Sequence, residues 1–183
     1  MKILYTLGNF ASSAHQVILY TMNTENIAKE NFQIVAEKCF DEALQSKNRI
    51  FMKQQDDMNA QLPSVSDVIW VQTTGNQWIA VGLWQKTPDS DIDVDGFRKV
   101  LKSVGKKAVE LKQPIVSMPL LTLNEDLDLW DELYPVIEEE LGAFNIQVIV
   151  HIPTEEQIIA VLDRIGGEIQ SYTVKPKVMI RFA

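Results

Sequence analysis

Residues 117–130 read SMPLLTLNEDLDLW, and this stretch decides the fold. The apolar residues Ile115 and Val116 lead into it as the body of a buried strand. After Asp128 the apolar residues Leu133, Val136, Ile137 and Leu141 recur at the three-and-four spacing of a helix. A strand that passes through a short loop into a helix is the repeating unit of a parallel sheet covered by helices. Loops at that place hold phosphates when they are rich in glycine, because backbone N–H groups must approach the anion closely. This loop contains no glycine.

Outward from this unit, the chain alternates strand and helix signals. Residues 2–7 and 15–23 (HQVILYTMN) read as strands, the second of them buried. Residues 26–44 predict a helix on the apolar stripe Ile27, Phe32, Val35, Ala36, Cys39, Phe40 and Ala43. Residues 48–64 are polar and weakly patterned, which predicts a loop with a short strand at 49–52. SDVIWVQTTGNQWIAVGLWQK (residues 66–86) predicts two strands around the turn Thr74-Gly75-Asn76. An amphipathic helix follows, with Phe97, Leu101, Val104, Ala108, Val109 and Leu111 inward. Residues 114–118 and 145–152 (NIQVIVHI) are strands on either side of a helix at 129–141. This order predicts a three-layer α/β/α sandwich with a mixed sheet over residues 1–152. Residues 153–183 predict a helix-strand extension packed on it: a helix at 154–165 with Thr154 as N-cap, then strands at 169–174 and 177–182.

The totals exclude several classes. The 183 residues are 46% hydrophobic and 23% charged, the balance of a globular protein able to bury a core. The net charge of −8 argues against broad nucleic-acid binding, which needs a basic surface. No apolar run is long enough to span a membrane, and MKILYTLGNF is too short and polar for a secretory signal. The one cysteine, Cys39, suits a reducing compartment, so a cytoplasmic location is expected. Self-assembly is left open.

DIDVDG (residues 91–96) imitates the start of a calcium loop, but Lys99 and Lys102 stand at the ninth and twelfth positions, where a cation would repel the metal. These aspartates are expected to cap the following helix instead. His15, His151 and Cys39 form no zinc-spaced cluster, and no metal is expected. Neither a Walker A loop nor a dinucleotide fingerprint occurs, and no cofactor is expected. Trp70, Trp78 and Trp84 fall in the hairpin, where cross-strand packing accounts for them. Lys86 closes a hairpin strand and Asp126 lies in the loop quoted above. If the sheet brings both to one edge, a partly desolvated amine could attack a sugar carbon while the carboxylate assists. The ordinary alternative is a surface lysine and a solvated acidic loop.

MPLLTLNEDLDLWDELYPVIEEEL (residues 118–141) resembles the macrodomain family, the ADP-ribose-binding fold. Met118, Pro119 and Trp130 match the family's Met-Pro, ligand loop and helix-opening tryptophan. VGLWQK (residues 81–86), the early LGN (7–9) and ILYTMNTENIAKENFQIVAEKCF (18–40) resemble other parts of it. The likeness covers about residues 2–152. It is nearest the branch of terminal ADP-ribose glycohydrolases, the antitoxin that strips ADP-ribose from DNA, and bacteriophage versions. The resemblance implies an attacking lysine at Lys86 and an assisting aspartate at Asp126. It also implies that Asn9, Asn23, Asn26, Ala28, Lys29, Glu30, Thr122, Leu123, Asn124 and Trp130 line the ligand cleft.

The ligand loops depart from the family pattern. The usual Gly-Lys-Gly reads Ala28-Lys29-Glu30, and Thr122, Asn124 and Leu127 stand at glycine positions of the second loop. Non-glycine residues at positive φ cost about 1–2 kcal/mol each. Glu30, Glu125 and Asp126 add negative charge, and like charges about 4 Å apart cost roughly 4 kcal/mol at an effective dielectric of 20. The favoured expectation is therefore a module that binds an ADP-ribose-type nucleotide in altered form, or a protein partner, without efficient turnover. An active ADP-ribosyl hydrolase and a purely structural acidic protein are the alternatives.

Overall fold

The computed structural model describes residues 3–56, 61–165 and 179–180. Seven strands form one sheet: β1 Leu4–Leu7, β2 Val17–Asn23, β3 Val68–Gln72, β4 Trp78–Gln85, β5 Ile115–Pro119, β6 Gln147–Ile152 and β7 Met179–Ile180. Their order is β3-β4-β2-β5-β6-β1-β7. The five inner strands are mutually parallel, and β3 and β7 run antiparallel at the two edges. The helices are α1 Asn31–Cys39, α2 Asp41–Asp56, α3 Val94–Glu110, α4 Asp128–Gly142 and α5 Glu155–Arg164. Helices α1 and α2 pack on each other and on β2 and β3, while α3 and α4 pack on each other and on β4 and β6. The result is the α/β/α sandwich with a mixed sheet. Helix α5 packs on β1 and β6, and no helix among the described residues is long and apolar enough to cross a membrane.

The strand patterns explain the burial. All seven residues of β2 are buried, as a central parallel strand covered on both faces requires. The β3–β4 hairpin turns through Thr74, Gly75 and Asn76, with Asn76 at φ 62°, the three-residue form of the turn read from the sequence. Trp70 and Trp78 meet edge to face across it, and Trp84 packs on Phe32 and Phe97. Asp93 caps α3 by accepting the Gly96 N–H at 2.8 Å, the role expected of the DIDVDG aspartates. Thr154 caps α5 through the Gln157 N–H at 3.2 Å.

Three features differ from the sequence reading. Residues 48–56 are not a loop with a short strand but the second half of α2. The predicted helix at 26–44 begins only at Asn31 and breaks at Phe40, so Cys39 is exposed rather than on an apolar face. Val109 is 53% exposed and turns away from the core side of α3. The strand expected at 169–174 lies outside the described residues, as do parts of the one expected at 177–182.

At Gly82 of β4 the helix α3 packs closely on the sheet. A Cβ there would lie 2.5 Å from Cγ1 of the fully buried Val100. Overpacking of a filled core costs roughly 1–3 kcal/mol. Gly82→Ala is expected to lose about that much in urea unfolding, and adding Val100→Ala in the same chain is expected to remove the clash term. A wild-type midpoint for the single variant would contradict the close contact.

Candidate functional site

The carboxyl ends of the parallel strands open onto one edge, where ligands of open α/β sheets are held. The loop after β2 begins at the buried Asn23. Its amide grips Ile27 twice, accepting the N–H at 3.1 Å and donating to the carbonyl at 2.8 Å. Asn26 adopts φ 58°. Its side chain accepts from Lys47 Nζ at 2.5 Å and donates to Asn48 Oδ1 at 3.0 Å. Lys47, with no exposed side-chain surface, also pairs with Glu37 at 2.5 Å. Burial pushes its amine below the usual lysine range, and Glu37 opposes that shift. Ala28 is half-buried, and Lys29 reaches outward to Asp89.

The end of this loop is held from within the protein. Gln33 Oε1 accepts the backbone N–H groups of both Lys29 and Glu30 at 3.1 Å, and its Nε2 donates to the Thr21 carbonyl at 3.1 Å. Glu30 is only 8% exposed. Its backbone is extended, at φ −76° and ψ 151°.

The loop after β5 makes a tight turn. Asp126 N–H donates to the Leu123 carbonyl at 2.9 Å. Asn124 and Glu125 are both left-handed, at φ 52° and 59°. Of the three positions where the family has glycine, Asn124 supplies a positive φ without it, while Thr122 and Leu127 (φ −79°) do not. Two bonds tie this turn to the first loop. The Asn124 N–H donates to Glu30 Oε2 at 2.8 Å, and Asn31 Nδ2 donates to Glu125 Oε1 at 2.9 Å. Asp126 turns back to accept the Asp128 N–H at 2.9 Å, at the start of α4.

Beside these ties lies a cavity of about 190 Å³. Phe10, Phe32, Val35, Pro119 and Leu120 give it apolar walls, and Glu30, Thr122, His151 and Gln157 add polar groups. His151 contacts Ser117 Oγ at 3.3 Å, and Ser117 in turn meets Ser13 at 2.9 Å. Burial, with a smaller push from His15, lowers the imidazole to about 4, so it is neutral at pH 7.

The residues singled out in the sequence fall in three places. Glu30, Thr122 and Asn9 line the cavity, where Asn9 also caps the turn Phe10–Ser12 through the Ala11 N–H at 2.9 Å. Asn23, Asn26, Ala28 and Lys29 belong to the first loop, and Leu123 and Asn124 to the second. Trp130 is buried in the core, donating from Nε1 to the Tyr5 hydroxyl at 3.2 Å. Lys86 and Asp126 are exposed and line no part of the 190 Å³ cavity. Among the described residues no hydrogen bond or ion pair joins them. Lys86 is held beside the first loop through its carbonyl, which accepts from Thr24 Oγ1 at 2.8 Å. The sequence reading passed over Gln33 and Lys47. Gln33 sits three residues after the helix-capping Glu30, the spacing of a capping box, and that signal was there to be read.

The sequence matches no protein-family model and no curated protein. Solved structures are more informative. The macrodomain of Thermus aquaticus DarG superposes with a TM-score of 0.65 at 17% identity, over 84% of this chain and 98% of that one. A macrodomain protein from Streptomyces coelicolor gives 0.64 at 20% identity, over 82% and 98%. Thermosipho africanus DarTG, in complex with ADP-ribose, gives 0.66 at 12% identity, over 85% of this chain and 42% of that one. The chain has the macrodomain fold.

Proposed function

We propose that this chain is a binding module of macrodomain fold that takes a nucleotide-derived ligand of the ADP-ribose class weakly and does not hydrolyse it. The observation that carries this reading is the Glu30 carboxylate on the Asn124 N–H, 2.8 Å away. A backbone donor that could face a phosphate is already used, and a negative charge stands beside it. Glu30 borders a second cavity of about 420 Å³ with Lys29, Leu123 and Asn124, and the one of about 190 Å³ is by itself smaller than the roughly 300–1,000 Å³ of ordinary small-molecule sites. It has room for part of such a ligand. The structure of a neighbour with ADP-ribose bound supports the choice of ligand class.

The exposure of Lys86 supports the absence of turnover. Its side chain lines no part of the cavity beside the ties, and among the described residues no hydrogen bond or ion pair joins it to Asp126. The carboxylate of Asp126 is engaged in holding the start of α4.

Thermal unfolding with ADP-ribose tests the reading. A ligand at 100 times its dissociation constant adds about 2.7 kcal/mol of stability. Millimolar ADP-ribose is expected to stabilise the protein and micromolar ADP-ribose is not. Incubation with ADP-ribosylated protein and DNA is expected to release no ADP-ribose. Tight micromolar binding, or release that Lys86→Ala abolishes, would overturn the proposal.

A further inference from the structure

We infer that the anion cradle of this cleft is latent rather than lost, and that Glu30 is an internal competitor that keeps it closed. This rests on the reading above and concerns the control of the same site.

The backbone of the second loop keeps one left-handed position where the family has glycine, at Asn124, while Leu127, at φ −79°, does not. Asn124 and Glu125 stand in succession at φ 52° and 59°, so the turn has reached left-handed geometry without glycine. Glu30 itself is extended at φ −76°, a conformation open to any residue. The obstruction at position 30 is therefore its side chain and not its backbone. That side chain is 8% exposed and places a carboxylate oxygen 2.8 Å from the Asn124 nitrogen, where an incoming phosphate oxygen would sit.

The other donors of the cleft are occupied in the same way. Gln33 takes the N–H groups of Lys29 and Glu30, each at 3.1 Å. Asn31 spans the gap to Glu125 at 2.9 Å and holds the two loops together. The protein supplies from its own side chains the acceptors that a phosphate ligand would bring. Buried backbone donors need such partners, and this is how they have them here. Removing the carboxylate frees the Asn124 N–H and withdraws one negative charge from the entrance.

Calorimetric titration of wild type, Glu30→Ala and Glu30→Gln with ADP-ribose, and separately with inorganic pyrophosphate, tests this. Glu30→Ala is expected to bind ADP-ribose at least tenfold more tightly than wild type and to gain detectable pyrophosphate binding. Glu30→Gln removes the charge but keeps an acceptor for the Asn124 N–H, so it is expected to fall between the two. The Asn124 amide is expected to exchange with solvent faster in Glu30→Ala than in wild type. Folded variants that bind no more tightly than wild type would overturn the inference and leave the reading of a weak, non-hydrolytic module standing. Wild type binding ADP-ribose with micromolar affinity would instead overturn both. If Glu30→Ala does not fold, the isosteric Glu30→Gln decides the matter by the same comparison.

Discussion

Trp130→Ala is expected to lower the free energy of unfolding by about 3–5 kcal/mol, the range for an aromatic side chain removed from a filled core. Trp130 is 1% exposed and stands in the first turn of α4. Its ring meets Tyr5 edge to face at 6.2 Å, and its Nε1 donates to the Tyr5 hydroxyl at 3.2 Å. Tyr5 belongs to β1, so one side chain couples the helix after the second loop to a strand on the far side of β6. Burial pushes the Tyr5 phenol well above its usual pKa. Trp130→Phe keeps much of the packing and loses the donor, and is expected to cost about 1–2 kcal/mol. Urea unfolding followed by far-UV circular dichroism measures both. A loss below 1 kcal/mol for the alanine variant would show that α4 docks without this residue.

The second large effect belongs to the ion pair under the first loop. Lys47 has no exposed side-chain surface, while its partner Glu37 is 24% exposed. Removing one member of a buried pair costs roughly 3–5 kcal/mol, because the other charge is left without compensation. Glu37→Ala is expected near the lower end, since Asn26 still accepts from the ammonium and the Phe51 ring lies 5.9 Å away. Lys47→Met fills the same space but leaves Glu37, 24% exposed, and Asn26 without their donor, and is expected to cost about 1–3 kcal/mol. The double variant is expected to recover most of what Glu37→Ala loses. A Glu37→Ala variant as stable as wild type would mean that Lys47 is hydrated after all.

The pH dependence has a definite sign. The folded pKa of Lys47 lies below 10.5, so the unfolded chain holds that proton more tightly. Stability contributed at this position therefore rises as pH climbs from the folded value towards 10.5, and Lys47→Met removes that slope.

Lys47 also explains what was hard to read in the sequence. The buried face of α2 runs Leu44, Lys47 and Phe51, a helical spacing with a lysine in the middle position. A charged residue there hides the continuation of the stripe, so that residues 48–56 read as a polar loop. The late start of α1 has a similar cause. Ile27 fits the apolar stripe by spacing, but the amide of Asn23 holds its backbone in a loop and leaves its side chain 49% exposed. The strands, α3, α4 and the hairpin were legible because their apolar residues follow a single period and their caps are local. In the cleft, the residue types were legible and the contacts were not. That Glu30 sits near the ligand loop could be inferred from the family pattern. That its carboxylate reaches a backbone N–H 94 positions away depends on how β2 and β5 are paired, which no local pattern records.

The place of β1 in the sheet bears on how the chain comes off the ribosome. Its described partners are β6, at Gln147–Ile152, and β7, at Met179–Ile180. By contrast, β2, β3 and β4 can join one another once residue 85 has emerged. Long-range parallel pairing is slow because the intervening chain must be gathered first. The apolar Ile3 and Tyr5 therefore reach their places beside β6 only after residue 152 has been made, which puts the closing of this side of the sheet late in folding.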